Sequence, residues 1–166
     1  MADARTLLTA ELNRLKTAIE EKIASSGAKA SGAAAQSLKV TVSGNEGTLW
    51  GASHIRQMER GRGPGPGPAG FYGIIEQWIR DKGINAEGYA PRGRDASKMT
   101  SDQKVRSLAG AIAYTIMKEG TVLYRSGTPR DIYTEALNES LERLSTDVGI
   151  YFADQIQTIN DKYSKE

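Results

Sequence analysis

The chain has 166 residues, 39% of them hydrophobic and 25% charged, with a formal net charge of +2 and no cysteine. That length supports about one domain, and the missing cysteines exclude disulfides, thiolate metal sites and thiol nucleophiles, which fits a reducing cytoplasm. No run of 18 apolar residues occurs and the N-terminal residues lack the apolar core of a signal peptide, so neither a membrane span nor secretion by that route is expected.

Leu8, Leu12, Leu15, Ile19 and Ile23 form one stripe and predict a first helix from about Ala4 to Ser26, stopped by Gly27. Ala28 to Gln36 is nearly all Ala, Ser and Gly, a tight connector with room for one helical turn. At Ser37 the period falls to two: Leu38, Val40 and Val42 alternate with Lys39, Thr41 and Ser43. Gly44-Asn45-Glu46-Gly47 then turns the chain, and Thr48 to Ala52 returns as a second strand of a β-hairpin. Ser53 to Gly61 has the spacing of a short helical turn, with Ile55 and Met58 three apart.

Met58 to Gly83 stands out. Its arginines lead into alternating Gly and Pro over 61–70; Pro64, Pro66 and Pro68 hold φ near −65° and favour an extended arm. Gly65, Gly67 and Gly70 match G-x-G-x-x-G, but Pro66 and Pro68 lack the N–H groups that a phosphate cradle needs. The arm is expected to reach a neighbouring subunit, with Arg60 and Arg62 facing acidic groups on an adjacent subunit or a neighbouring ring. Beyond it, Ile74, Ile75, Trp78 and Ile79 fall at helical spacing before Gly83, with Trp78 expected in the protomer's own core.

Asn85 to Lys98 reads as an exposed loop. Thr100 and Gln103 make a capping box for a helix ending at Gly120, whose small residues suggest close packing on the hairpin. Thr121 to Gly127 reads as a short extended segment. Thr128, Pro129 and Asp131 then carry the signals of a helix start, and apolar positions continue from Ile132 to Tyr163. A helix over 129–163 would be about 50 Å long. Gly149 is the natural place for a bend, and the distal residues Tyr151, Phe152, Ile156 and Ile159 need a fold-back or another subunit to cover them. The fold class is therefore α+β, one domain over 1–166 with an N-terminal helix, a small antiparallel hairpin, central helices and a long C-terminal helix.

Residues 1–130 hold 19 Lys/Arg against 12 Asp/Glu, and residues 131–166 hold 3 against 8. A basic body with an acidic tail suits complementarity between subunits. The scattered Arg56, Arg60, Arg62, Arg92 and Arg94 keep nucleic-acid association as an alternative, without sequence-specific readout. The single histidine, His54, has no partner at ligand spacing, and no catalytic motif or cofactor site is found. Catalysis and cofactors are not expected.

Several stretches carry a resemblance to a known family. They are the Ser-Leu-x-Val strand within Ala30 to Val40, Met-Glu-x-Gly-Arg-x-Pro-Gly over Met58 to Gly65, and Ile-x-x-Trp-Ile-x-x-Lys-Gly-Ile over Ile75 to Ile84. Lys-Glu-Gly-Thr at Lys118 to Thr121 and Asp-Ile-Tyr at Asp131 to Tyr133 complete the order. In order and spacing the chain resembles the tail-completion or neck proteins of long-tailed bacteriophages and prophages, departing from them in its extended Gly-Pro repeat. The resemblance implies a non-enzymatic virion structural protein, made in the host bacterial cytoplasm. It implies assembly as a ring between the head connector or portal-associated proteins and the tail tube or tail terminator.

Overall fold

A computed structural model describes residues 3–27 and 31–164. In chain order they form α1 (Ala4–Ser25), α2 (Ala33–Gln36), β1 (Lys39–Ser43), β2 (Glu46–Trp50), α3 (Ile55–Arg60), α4 (Phe71–Asp81), α5 (Ser101–Glu119), α6 (Val122–Ser126) and α7 (Thr134–Tyr163). This is the expected α+β arrangement. The first part of the connector, 28–30, lies outside the described residues. Two compact units result: one holds residues 3–27, 34–55 and 131–164, the other 31–33 and 56–130.

In the first unit α1 is the central support. Asp3 caps it by accepting the Thr6 N–H at 2.7 Å, and Gly27 leaves it at φ +67°. Leu15, Ile19 and Ile23 are buried together with Leu38, Ile55, Ile132 and Ala136. The hairpin packs on one side of α1, with Val40 opposite Leu49 and Val42 opposite Gly47. Gly44-Asn45 closes it as a two-residue turn, and Gly44 supplies φ +57°. At Gly47 a Cβ would lie 2.5 Å from Leu12 Cδ1, so a larger residue there would push the end of the Leu12 side chain aside.

α7 packs along α1 in the opposite direction, since Lys22 pairs with Asp131 and Glu135 near its start while Glu11 meets Arg143 further along. Its start corrects the sequence expectation: the helix begins at Thr134, not at Thr128-Pro129. The reason is Asp131, which takes φ +51° and whose Oδ1 accepts the Glu135 N–H at 2.8 Å, satisfying a first-turn donor. That turn brings the completely buried Ile132 into the unit's core. Gly149 does not interrupt α7, which is continuous for 30 residues.

The second unit centres on α4 against α5. Phe71, Ile75 and Ile79 pack on Ala109 and Ala113, and the two alanines allow the close approach. α5 thus finds its partner in α4, where the sequence suggested the hairpin. Its predicted capping box is present: the Gln103 N–H donates to Thr100 Oγ1 at 3.3 Å and the Thr100 N–H to Gln103 Oε1 at 3.0 Å. Arg80 bridges the two helices through Glu76 and Asp102, each at 2.9 Å. The 85–98 loop is tied down by buried Ala86 and by Glu87, which accepts from Ser101 at 2.6 Å and Lys104 at 2.7 Å. Thr121 to Gly127, expected to be extended, is helical as α6: Thr121 Oγ1 caps the Tyr124 N–H at 3.3 Å and Gly127 ends the turn at φ +67°.

Candidate interaction surfaces

The Gly-Pro segment is built from its backbone donors. Gly61 ends α3 with its N–H on Gln57 O at 2.8 Å and turns at φ +75°, where a Cβ would strike the Tyr124 backbone nitrogen and Thr121 Oγ1. Arg62 then pairs with Thr121: its N–H donates to Thr121 Oγ1 at 3.0 Å and its carbonyl accepts the Thr121 N–H at 2.8 Å. The Gly65 N–H reaches Met117 O at 2.8 Å, Gly63 lies on the Tyr124 ring and Gly67 on Phe71. The glycines are therefore half-buried, while Pro64, Pro66 and Pro68, which have no N–H to satisfy, are exposed. In place of a free arm the segment is a strap bound to its own unit, with an outward ridge of three prolines.

Arg62 explains why the strap holds its shape. Its guanidinium donates to Pro66 O at 2.6 Å, Gly65 O at 3.1 Å and Gly63 O at 3.4 Å, and lies 5.0 Å from the centroid of the Phe71 ring. A planar fork of donors suits three carbonyls on one bend of chain. The expectation that Arg62 faces acidic groups on an adjacent subunit is corrected here, because these donors are engaged within the chain. Arg60 differs: its side chain is 57% exposed, with Glu59 Oε1 at 3.8 Å.

On α7 the structure gathers most of the expected distal residues. Phe152, Ile156 and Ile159 are each more than half exposed and lie on one side of the helix, joined by Tyr163 at 66% exposure. Leu137 and Leu141 extend the same exposed stripe toward the start of the helix. Tyr151 is half-buried, turned about 100° from Phe152 around the helix, though its ring meets that of Phe152 edge-on at 5.4 Å. The overhang has a geometric cause. With Glu11 level with Arg143, and Lys22 level with Asp131 and Glu135, the first described turn of α1 falls level with about residue 150. Residues 152–163 therefore extend roughly 17 Å beyond it.

The pairs that set this register are electrostatic. Glu11 is only 2% exposed. Burial alone raises its carboxyl, but hydrogen bonds from Ser140, Arg143 and Arg14 outweigh that and hold it below the usual carboxylate range. The Asp131 carboxyl is lowered by the Glu135 N–H and then by Lys22, while bonds to Glu135 and Asp131 raise the Lys22 ammonium. Sequence reading missed Glu11 because its partner lies 132 residues away.

Trp78 requires a second correction. It is 38% exposed, and Ile74, one turn before it, is 53% exposed, whereas Phe71, Ile75 and Ile79 fill the core. Ile74 and Trp78 thus form an apolar face on the outside of α4 that the sequence reading had assigned to the interior.

Charge divides with the units. Among the described residues the first unit has 7 Lys/Arg against 12 Asp/Glu, a net −5, and the second 13 against 7, a net +6. Arg56, Arg60, Arg92 and Arg94 are exposed, on α3 and on the 85–98 loop. Among the described residues no group of three His, Cys, Asp or Glu is placed to hold a metal ion, and no helix is long and apolar enough to cross a membrane. No family profile, curated protein or solved structure matches this chain.

Proposed function

We propose that the chain is a non-enzymatic virion structural protein that self-assembles as a ring in the neck of a long-tailed bacteriophage, between the head connector and the tail. The observation that carries the self-assembly is the α7 overhang, whose Phe152, Ile156, Ile159 and Tyr163 are all more than half exposed. Side chains of this size in one contiguous stripe are the usual mark of a surface that another protein covers. The assignment to a phage neck rests on the resemblance of the Met58–Gly65, Ile75–Ile84, Lys118–Thr121 and Asp131–Tyr133 stretches.

The test is the mass of the particle in solution, by native mass spectrometry or light scattering across a concentration series. The full chain is expected to form a multiple of its 17.9 kDa mass, and Ile156→Glu/Ile159→Glu to stay monomeric with an unchanged melt. A full chain that is monomeric at every concentration would overturn self-assembly. The neck assignment is tested by adding purified head connectors and tails: failure to join them, with assembly intact, would overturn that part alone.

A further inference from the structure

Among the described residues, each compact unit carries an uncovered apolar face: the α7 stripe of Phe152, Ile156, Ile159 and Tyr163 in one, and the α4 face of Ile74 and Trp78 in the other. From them we infer that neighbouring copies join head to tail, the α7 overhang of one copy lying on the α4 face of the next. The inference rests on the self-assembly reading above and adds which surface meets which.

Charge decides between the two ways of covering α7. Pairing two α7 overhangs with each other would bring together two units of net −5. Like-charged surfaces repel at close range and slow encounter. Seating the overhang on the second unit brings −5 toward +6.

Geometry supplies the consequence. Two unlike surfaces on one chain make a heterologous contact, which leaves a free surface at each end of a dimer and so continues to a closed ring or an open filament. A self-complementary α7 contact would stop at two copies.

The experiment uses the full chain in three forms: wild type, the α7 variant Ile156→Glu/Ile159→Glu, and the α4 variant Ile74→Glu. All three substituted residues are more than half exposed, so circular dichroism melts should coincide; if Ile74→Glu melts lower, Ile74→Ser replaces it. Sedimentation should show assembly of wild type, weakened about tenfold or more on going from low salt to about 0.5 M. Each variant alone should be monomeric. Mixed in equal amounts, the two should form heterodimers and nothing larger, because the mixture retains one intact α7 face and one intact α4 face. If Ile74→Glu assembles like wild type while the α7 variant does not, or the mixture stays monomeric, the head-to-tail contact is wrong and self-assembly stands. A monomeric wild type would overturn both.

Discussion

Replacing Arg62 separates a residue that serves the fold from one that serves the surface. In Arg62→Ala the Gly63, Gly65 and Pro66 carbonyls lose their donor and the Phe71 ring loses its cation. A hydrogen bond to a charged group contributes about 1.5–3 kcal/mol when buried. Arg62 is only half-buried and the released carbonyls reach water, so about 0.5–1 kcal/mol each is the better figure, with a similar amount for the ring contact. The total is about 2–4 kcal/mol, or a fall in Tm of at least about 4 °C for a chain of this size. Arg60→Ala, at 57% exposure with Glu59 at 3.8 Å, should change stability by less than about 0.5 kcal/mol. Arg62→Lys should fall between, because an ammonium is a point donor and cannot span three carbonyls. Urea unfolding at neutral pH, followed by circular dichroism, measures all three. An Arg62→Ala variant that unfolds with Arg60→Ala would refute the strap's dependence on the guanidinium.

Two further outcomes follow from burial and ionisation. Arg143→Ala leaves the buried Glu11 carboxylate with Ser140 and Arg14 only, and should cost about 2–4 kcal/mol in thermal or urea unfolding at neutral pH. Because the folded Glu11 carboxyl lies below its ordinary value of 4.5, its stabilisation is complete above that value and is lost as pH falls through the folded one. Stability measured between about pH 6 and 3 should therefore fall less steeply in Glu11→Gln than in wild type, and equal slopes would contradict the pairing. Ile79→Ala, at a site 1% exposed, should cost about 2–5 kcal/mol, and Trp78→Ala, at 38% exposure, only about 1–2.5 kcal/mol despite the larger side chain. Equal losses in the two melts would return Trp78 to the core.

Local chemistry determined what was legible in the sequence. The leucine and isoleucine stripe of α1, the alternation of Leu38, Val40 and Val42 and the Thr100-Gln103 capping box each act within a few residues, and those elements stand where their patterns put them, whereas the expected turn over 44–47 tightens to Gly44-Asn45 and the second strand runs over Glu46–Trp50 in place of 48–52. The over-length of α7 was legible too, since periodicity runs unbroken to Tyr163. Tertiary packing decided the rest. Ile74 and Ile75, like Trp78 and Ile79, are adjacent apolar residues about 100° apart on a helix, so hydropathy alone does not say which of each pair faces Ala109 and Ala113. Thr121 reads as an extended residue until Arg62, 59 residues away, pairs with it and α6 begins. Asp131 starts α7 late because Lys22, 109 residues away, meets its carboxylate while Ile132 is buried behind it. Glu11 is an acidic residue on a predicted helix until Arg143 compensates its burial. In each case the deciding partner is distant in the chain, and a pattern confined to near neighbours has no term for it.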